Sequence, residues 1–93
     1  MTLVKICGIR TLEEARVALE AGAWAIGEVF APSPRRLEVE RAAAINTKLG
    51  PAVVKVGVFV NEDLGRVREI VTLCHLDMVQ LHGEEPPEYL REI

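Results

Sequence analysis

The chain has 93 residues, 49% of them hydrophobic, and a formal net charge of −3. That balance excludes a nucleic-acid surface, which reads basic, because the one local concentration of cations is Arg35-Arg36. No apolar run approaches the roughly 20 residues of a membrane-spanning helix, and the N-terminus lacks the charged-then-apolar pattern of a leader. Cys7 and Cys74 are too few and too far apart for a disulfide scaffold or a metal-type spacing. A cytoplasmic protein with reduced thiols is the expectation.

The first predicted element is a strand over Leu3 to Cys7, closed by Gly8. Thr11 with Glu14 three residues later has the form of a capping box, and opens a helix whose apolar positions include Leu12, Ala15 and Leu19. Gly22 ends it. A second strand runs from Ala23 to Phe30, interrupted by Gly27 and Glu28. Pro32 and Pro34 keep Ala31 to Arg36 out of any helix. Val39 to Leu49 is an alanine-rich helix stopped by Gly50-Pro51, and Ala52 to Val60 is a valine-rich strand. Asn61 is the expected cap of a third helix over Glu62 to Leu73, with Gly65 weakening its first turn. Leu76 to Leu81 is a fourth strand, His82 to Glu85 a turn, and Pro86-Pro87 suit the first turn of a fourth helix.

The order β-α-β-α-β-α-β-α, with near-continuous apolar strands, predicts an α/β fold with a parallel sheet covered by helices. Both a (βα)8 barrel and an open doubly wound sheet share this pattern. Gly8 alone after the first strand falls short of a dinucleotide-binding glycine loop, so the barrel is the better reading. A full barrel takes roughly 200 residues or more. Residues 1–93 are therefore expected to be the N-terminal half of a single TIM-barrel domain, its first four βα units, cut within the fourth helix.

In such folds chemistry sits at the C-terminal ends of strands and in the loops that follow. That rule selects Cys7, Glu28, Phe30, the Ser33 to Arg36 loop, Asn61, Gln80 and His82. A small thiol ending a strand is commonly a core residue. It becomes a functional one as a thiolate near a cation, and Lys5 shares its side-chain parity. Gln80 and His82 share one face at the exit of the fourth strand, where unpartnered polar groups are costly. An arginine held at the same mouth, Arg35 or Arg36, could clamp a carboxylate or phosphate. Cys74, His75 and Trp24 read as structural.

The blocks Lys5-Ile6-Cys7-Gly8-Ile9, Glu20-Ala21-Gly22-Ala23, Gly27-x-Val29-Phe30-Ala31-Pro32 with Ser33-Pro34-Arg35, Val56 to Asn61, and Val79 to Glu85 occur in one order and spacing. Together they resemble the phosphoribosylanthranilate isomerase family of tryptophan biosynthesis. The resemblance implies a (βα)8 barrel acting without cofactor or metal, and an Amadori rearrangement of a phosphorylated sugar-anthranilate substrate. It implies Cys7 as general base, Arg35 or Arg36 near the anthranilate carboxylate, and Gln80 and His82 lining the pocket. It also implies an aspartate acid and a phosphate site from the second half of a barrel, so that residues 1–93 alone are expected to be inactive. Three positions depart from the family pattern: Glu28 stands where phenylalanine is usual, Trp24 where aspartate is frequent, and Arg36 where an aromatic residue is common. An inward-facing Glu28 would need a partner, with Lys5 the candidate. Two other readings are a half-barrel that self-associates or pairs with a complementary half through its open strand edges, and a binding module without catalysis.

Overall fold

A computed structural model describes residues 4–81. Four parallel strands, β1 (Lys5–Cys7), β2 (Ala25–Val29), β3 (Val54–Phe59) and β4 (Met78–Leu81), lie side by side in sequence order. They alternate with α1 (Leu12–Glu20), α2 (Val39–Leu49) and α3 (Leu64–Cys74). The expected turn at His82 and the fourth helix lie outside the described residues.

The strand order separates the two architectures that the element pattern left open. Crossovers between parallel strands are right-handed, so a sheet that always advances in one direction carries all its helices on one face. A doubly wound sheet must reverse order somewhere, and this one does not. The sheet is also strongly rolled. Flat, its outer strands would stand about 14 Å apart, three strand spacings of about 4.8 Å. Yet the Lys5 ammonium on β1 donates to the Gln80 side-chain oxygen on β4. Side chains stand roughly perpendicular to a sheet, so this bond forms only across a concave inner face. The arrangement is the wall of a (βα) barrel.

Register assigns the two faces. Lys5 pairs with Ala25, Cys7 with Gly27, Gly27 with Val56 and Val58 with Gln80, and these positions share the concave face. The alternate residues Ile26, Phe30 and Phe59 enter the apolar layer beneath the helices, where the Phe30 and Phe59 rings stack at 5.3 Å between centroids. Ala15 and Ala18 of α1, Ala42 and Ile45 of α2, and Val67 and Ile70 of α3 close that layer. Of the apolar positions expected on α1, Ala15 is buried and Leu12 and Leu19 pack partly buried against that layer.

Several element ends differ from expectation for local reasons. The Thr11 hydroxyl accepts from the Glu14 amide at 3.0 Å, but the Glu14 carboxylate reaches one residue further back than a capping box, to the Arg10 amide at 2.7 Å. Gly50 to Ala52 form a short 3₁₀ turn with Pro51 in its first positions, so β3 starts at Val54 rather than Ala52. Asp63, not Asn61, caps α3: its carboxylate accepts from the Arg66 amide at 3.2 Å, while Asn61 takes a left-handed φ of 50° in the preceding loop. Trp24, expected to pack, keeps 42% of its surface exposed at the N-terminal end of β2.

Candidate functional site

Cys7 is the last residue of β1 and is exposed. Just beyond it Gly8 turns the chain with φ 82°, a left-handed conformation that favours glycine. The Gly8 and Ile9 amides both donate to the Gly27 carbonyl, at 3.0 and 3.1 Å, which ties the exit of β1 to β2. Gly27 lies directly beside the thiol. A Cβ there would stand 2.8 Å from Cys7 Sγ and 3.2 Å from Cys7 Cα. The missing side chain of Gly27 is therefore what leaves room for Sγ on the concave face. The sequence marked Gly27 only as an interruption, although the strand register, once known, puts it opposite Cys7.

The loop after β2 folds back over the same end of the sheet. Leu37 donates to the Val29 carbonyl at 2.8 Å, and Arg36 forms a parallel bridge with Val29. Ser33 Oγ accepts from the Arg35 amide at 3.1 Å, stiffening the turn between the two prolines. The two arginines then part company. The aliphatic stem of Arg35 packs over Gly8, and Arg35, Ser33 and Cys7 line one open cleft of about 760 Å³ beside β1 and α1. Arg36 faces a separate, smaller pocket with Leu37, Glu62 and Arg66. The Arg35 guanidinium has no hydrogen-bond partner among the described residues, which leaves its fork of donors available to an anion.

Gln80 stands on the concave face of β4, half-buried and bonded to Lys5. Lys5 thus lies two residues below Cys7 on the same face and binds Gln80. His82 lies outside the described residues. Glu28 is not part of this group: it points to the helix side, fully buried, with Asn46 of α2 rather than Lys5 as its partner. Cys74 is also buried in the helix layer, its thiol 3.4 Å from the Val39 carbonyl. Among the described residues no group of three or more His, Cys, Asp or Glu side chains could hold a metal ion, and no helix is long and apolar enough to cross a membrane.

The site can therefore offer a thiol for proton transfer, an unpaired guanidinium beside it, and an amide held by an ammonium across the concave face. Known proteins share this frame. An N-(5'-phosphoribosyl)anthranilate isomerase of Syntrophomonas wolfei is 69% identical over 93 residues, which is 100% of this chain and 46% of that protein. The crystal structure of phosphoribosyl anthranilate isomerase from Thermotoga maritima superposes with a TM-score of 0.96 at 48% identity, covering 100% of this chain and 46% of that one. A structure of the isomerase in complex with reduced 1-(o-carboxyphenylamino)-1-deoxyribulose 5-phosphate gives the same TM-score of 0.96 and 48% identity, over 100% of this chain and 48% of that one. The chain spans about half the length of the curated relatives it matches. The family model for N-(5'-phosphoribosyl)anthranilate (PRA) isomerase matches residues 4–93, and the chain belongs to that family.

Proposed function

We propose that residues 1–93 form the N-terminal half of a cytoplasmic phosphoribosylanthranilate isomerase barrel and supply the base of its reaction. The observation that carries this reading is the placement of Cys7 at the C-terminal end of β1 and of Arg35 in the loop after β2, both lining one cleft that runs along β1 and α1. The substrate is N-(5-phosphoribosyl)anthranilate, and after ring opening its C1 is bonded to nitrogen as an iminium. The C2 proton is acidified by that neighbour. The Cys7 thiolate takes it, the C2–H electron pair forms C1=C2, and the iminium π pair returns to nitrogen. The enaminol then becomes the ketone of 1-(2-carboxyphenylamino)-1-deoxyribulose 5-phosphate. A positioned base typically contributes 10²–10⁴-fold to such a step. Arg35 holds the anthranilate carboxylate through paired N–H donors, Gln80 and His82 line the pocket, and Arg36 stays outside it.

Ring opening needs an acid and the phosphate needs an anchor. In this reading both come from a complementary half that completes the barrel along the open edges of β1 and β4. The test is to join this chain to the portion of the Syntrophomonas wolfei isomerase that it does not cover and to follow substrate turnover by fluorescence. Turnover is expected, with Cys7→Ala abolishing kcat and Arg35→Ala raising KM far more than Arg36→Ala does. Full turnover in Cys7→Ala, or equal effects of the two arginine variants, would overturn the assignment.

A further inference from the structure

Beneath the site, on the opposite face of the sheet, Glu28 of β2 is fully buried and Asn46 of α2 is 2% exposed. The Asn46 amide spends its N–H groups twice, on Glu28 Oε1 at 2.8 Å and on the Cys74 carbonyl at 2.8 Å, and so ties β2 to the end of α3. Among the described residues two buried side-chain oxygens are left without a partner, Glu28 Oε2 and Asn46 Oδ1. An ionised carboxylate and an amide oxygen are both acceptors only, so an ionised Glu28 leaves both unsatisfied. Such groups are costly where water is excluded. A protonated carboxyl differs by one O–H donor. Oε2 and Oδ1 belong to the two groups already joined through Nδ2 and Oε1, so a proton on Oε2 adds the one donor that these two acceptors lack.

We propose that Glu28 and Asn46 form a buried proton-binding site, whose bound proton fastens α2 and α3 to β2 and whose release as pH rises loosens that layer. The surrounding charges do not replace the proton. Lys55 of β3 is buried nearby but gives its ammonium to the Gly50 carbonyl. On α3, Cys74 turns its thiol to the Val39 carbonyl. Glu40 of α2 and Arg66 of α3 act on Cys74 with opposite sign. Burial raises the Glu28 carboxyl from 4.5 to about 7, against smaller lowering effects of the Asn46 hydrogen bond and the Lys55 charge. The folded value lies above the unfolded one. The stabilisation is therefore complete below about pH 4.5 and is lost as pH rises toward about 7.

The test compares urea unfolding of the chain with that of Glu28→Gln from pH 5 to 8. Glutamine carries a permanent N–H in place of the carboxyl O–H, so it keeps that donor at every pH. The folding constant of the native chain relative to the variant should fall with rising pH, by up to about tenfold per pH unit until the carboxyl has titrated. A ratio that stays constant across the range overturns the proposal. The carboxyl-carbon NMR shift of Glu28 in the unaltered chain provides a readout that does not depend on the variant folding. Titration near neutrality supports the site, and titration in the ordinary carboxylate range refutes it.

Discussion

The contact between Gly27 and Cys7 gives the sharpest mechanical prediction. In Gly27→Ala the new methyl would lie 2.8 Å from Cys7 Sγ, 3.2 Å from its Cα and 3.3 Å from its Cβ, whereas unstrained carbon contacts lie near 3.5–4.0 Å. The sulfur can rotate away, at about 0.5–1.5 kcal/mol if it must leave a rotamer well. The Cα and Cβ contacts cannot be relieved by rotation, because β1 and β2 are locked in register on either side of them. Overpacking of this kind costs about 1–3 kcal/mol, partly offset by the 0.5–1 kcal/mol that alanine gains over glycine in a strand. Urea unfolding of Gly27→Ala, Cys7→Ala and the double variant separates these contributions. The sulfur's share is expected as a favourable coupling of about 1 kcal/mol, so the double variant should be less destabilised than the sum of the singles. Additivity within about 0.5 kcal/mol, the usual behaviour of independent sites, would refute the claim that Gly27 makes room for the thiol.

Two further substitutions probe the helix layer. Phe59 is 1% exposed and stacked on Phe30, so Phe59→Ala should cost about 3–5 kcal/mol, a large part of the 5–15 kcal/mol that holds a domain together. The readout is loss or severe broadening of the thermal transition. Thr11→Ala removes the hydroxyl that accepts from the Glu14 amide and should lower the urea midpoint by the equivalent of about 1 kcal/mol, with the slope of the transition unchanged.

What the sequence made legible was local. The limits of α2 at Val39 and Leu49 coincide with expectation, because an alanine-rich amphipathic run and Gly50-Pro51 fix them without help from the rest of the chain. Strand parity correctly put Lys5 and Cys7 on one face. Choices between near neighbours were harder. Asn61 and Asp63 are both good caps, and only the loop conformation, with Asn61 at φ 50°, hands the role to Asp63. Arg35 and Arg36 are adjacent, yet a single residue's turn puts them against different pockets. Glu28 was legible as an anomaly, but its partner was not. Asn46 lies 18 residues away on a helix whose polar positions otherwise look solvated, and no local pattern records that their side chains meet.

Lys5 and Gln80 show how a long-range feature can still be encoded in short patterns. Each is a polar residue placed among apolar ones at an inward position of its strand. Buried without a partner, either would be penalised by a few kcal/mol. On a flat four-stranded sheet they would sit on opposite edges and could not meet. On a rolled sheet the inward positions of the first and fourth strands approach, and the hydrogen bond between them offsets part of the cost of partly burying both. With the strands in the observed sequential order, the Lys5–Gln80 hydrogen bond requires the sheet to roll. The same curvature brings the inner face of β4 toward that of β1, whose exit carries Cys7, and so gathers polar groups from non-adjacent strands around a concave surface. For this chain, the curvature that distinguishes a barrel wall from an open sheet and the curvature that assembles the candidate site are one property.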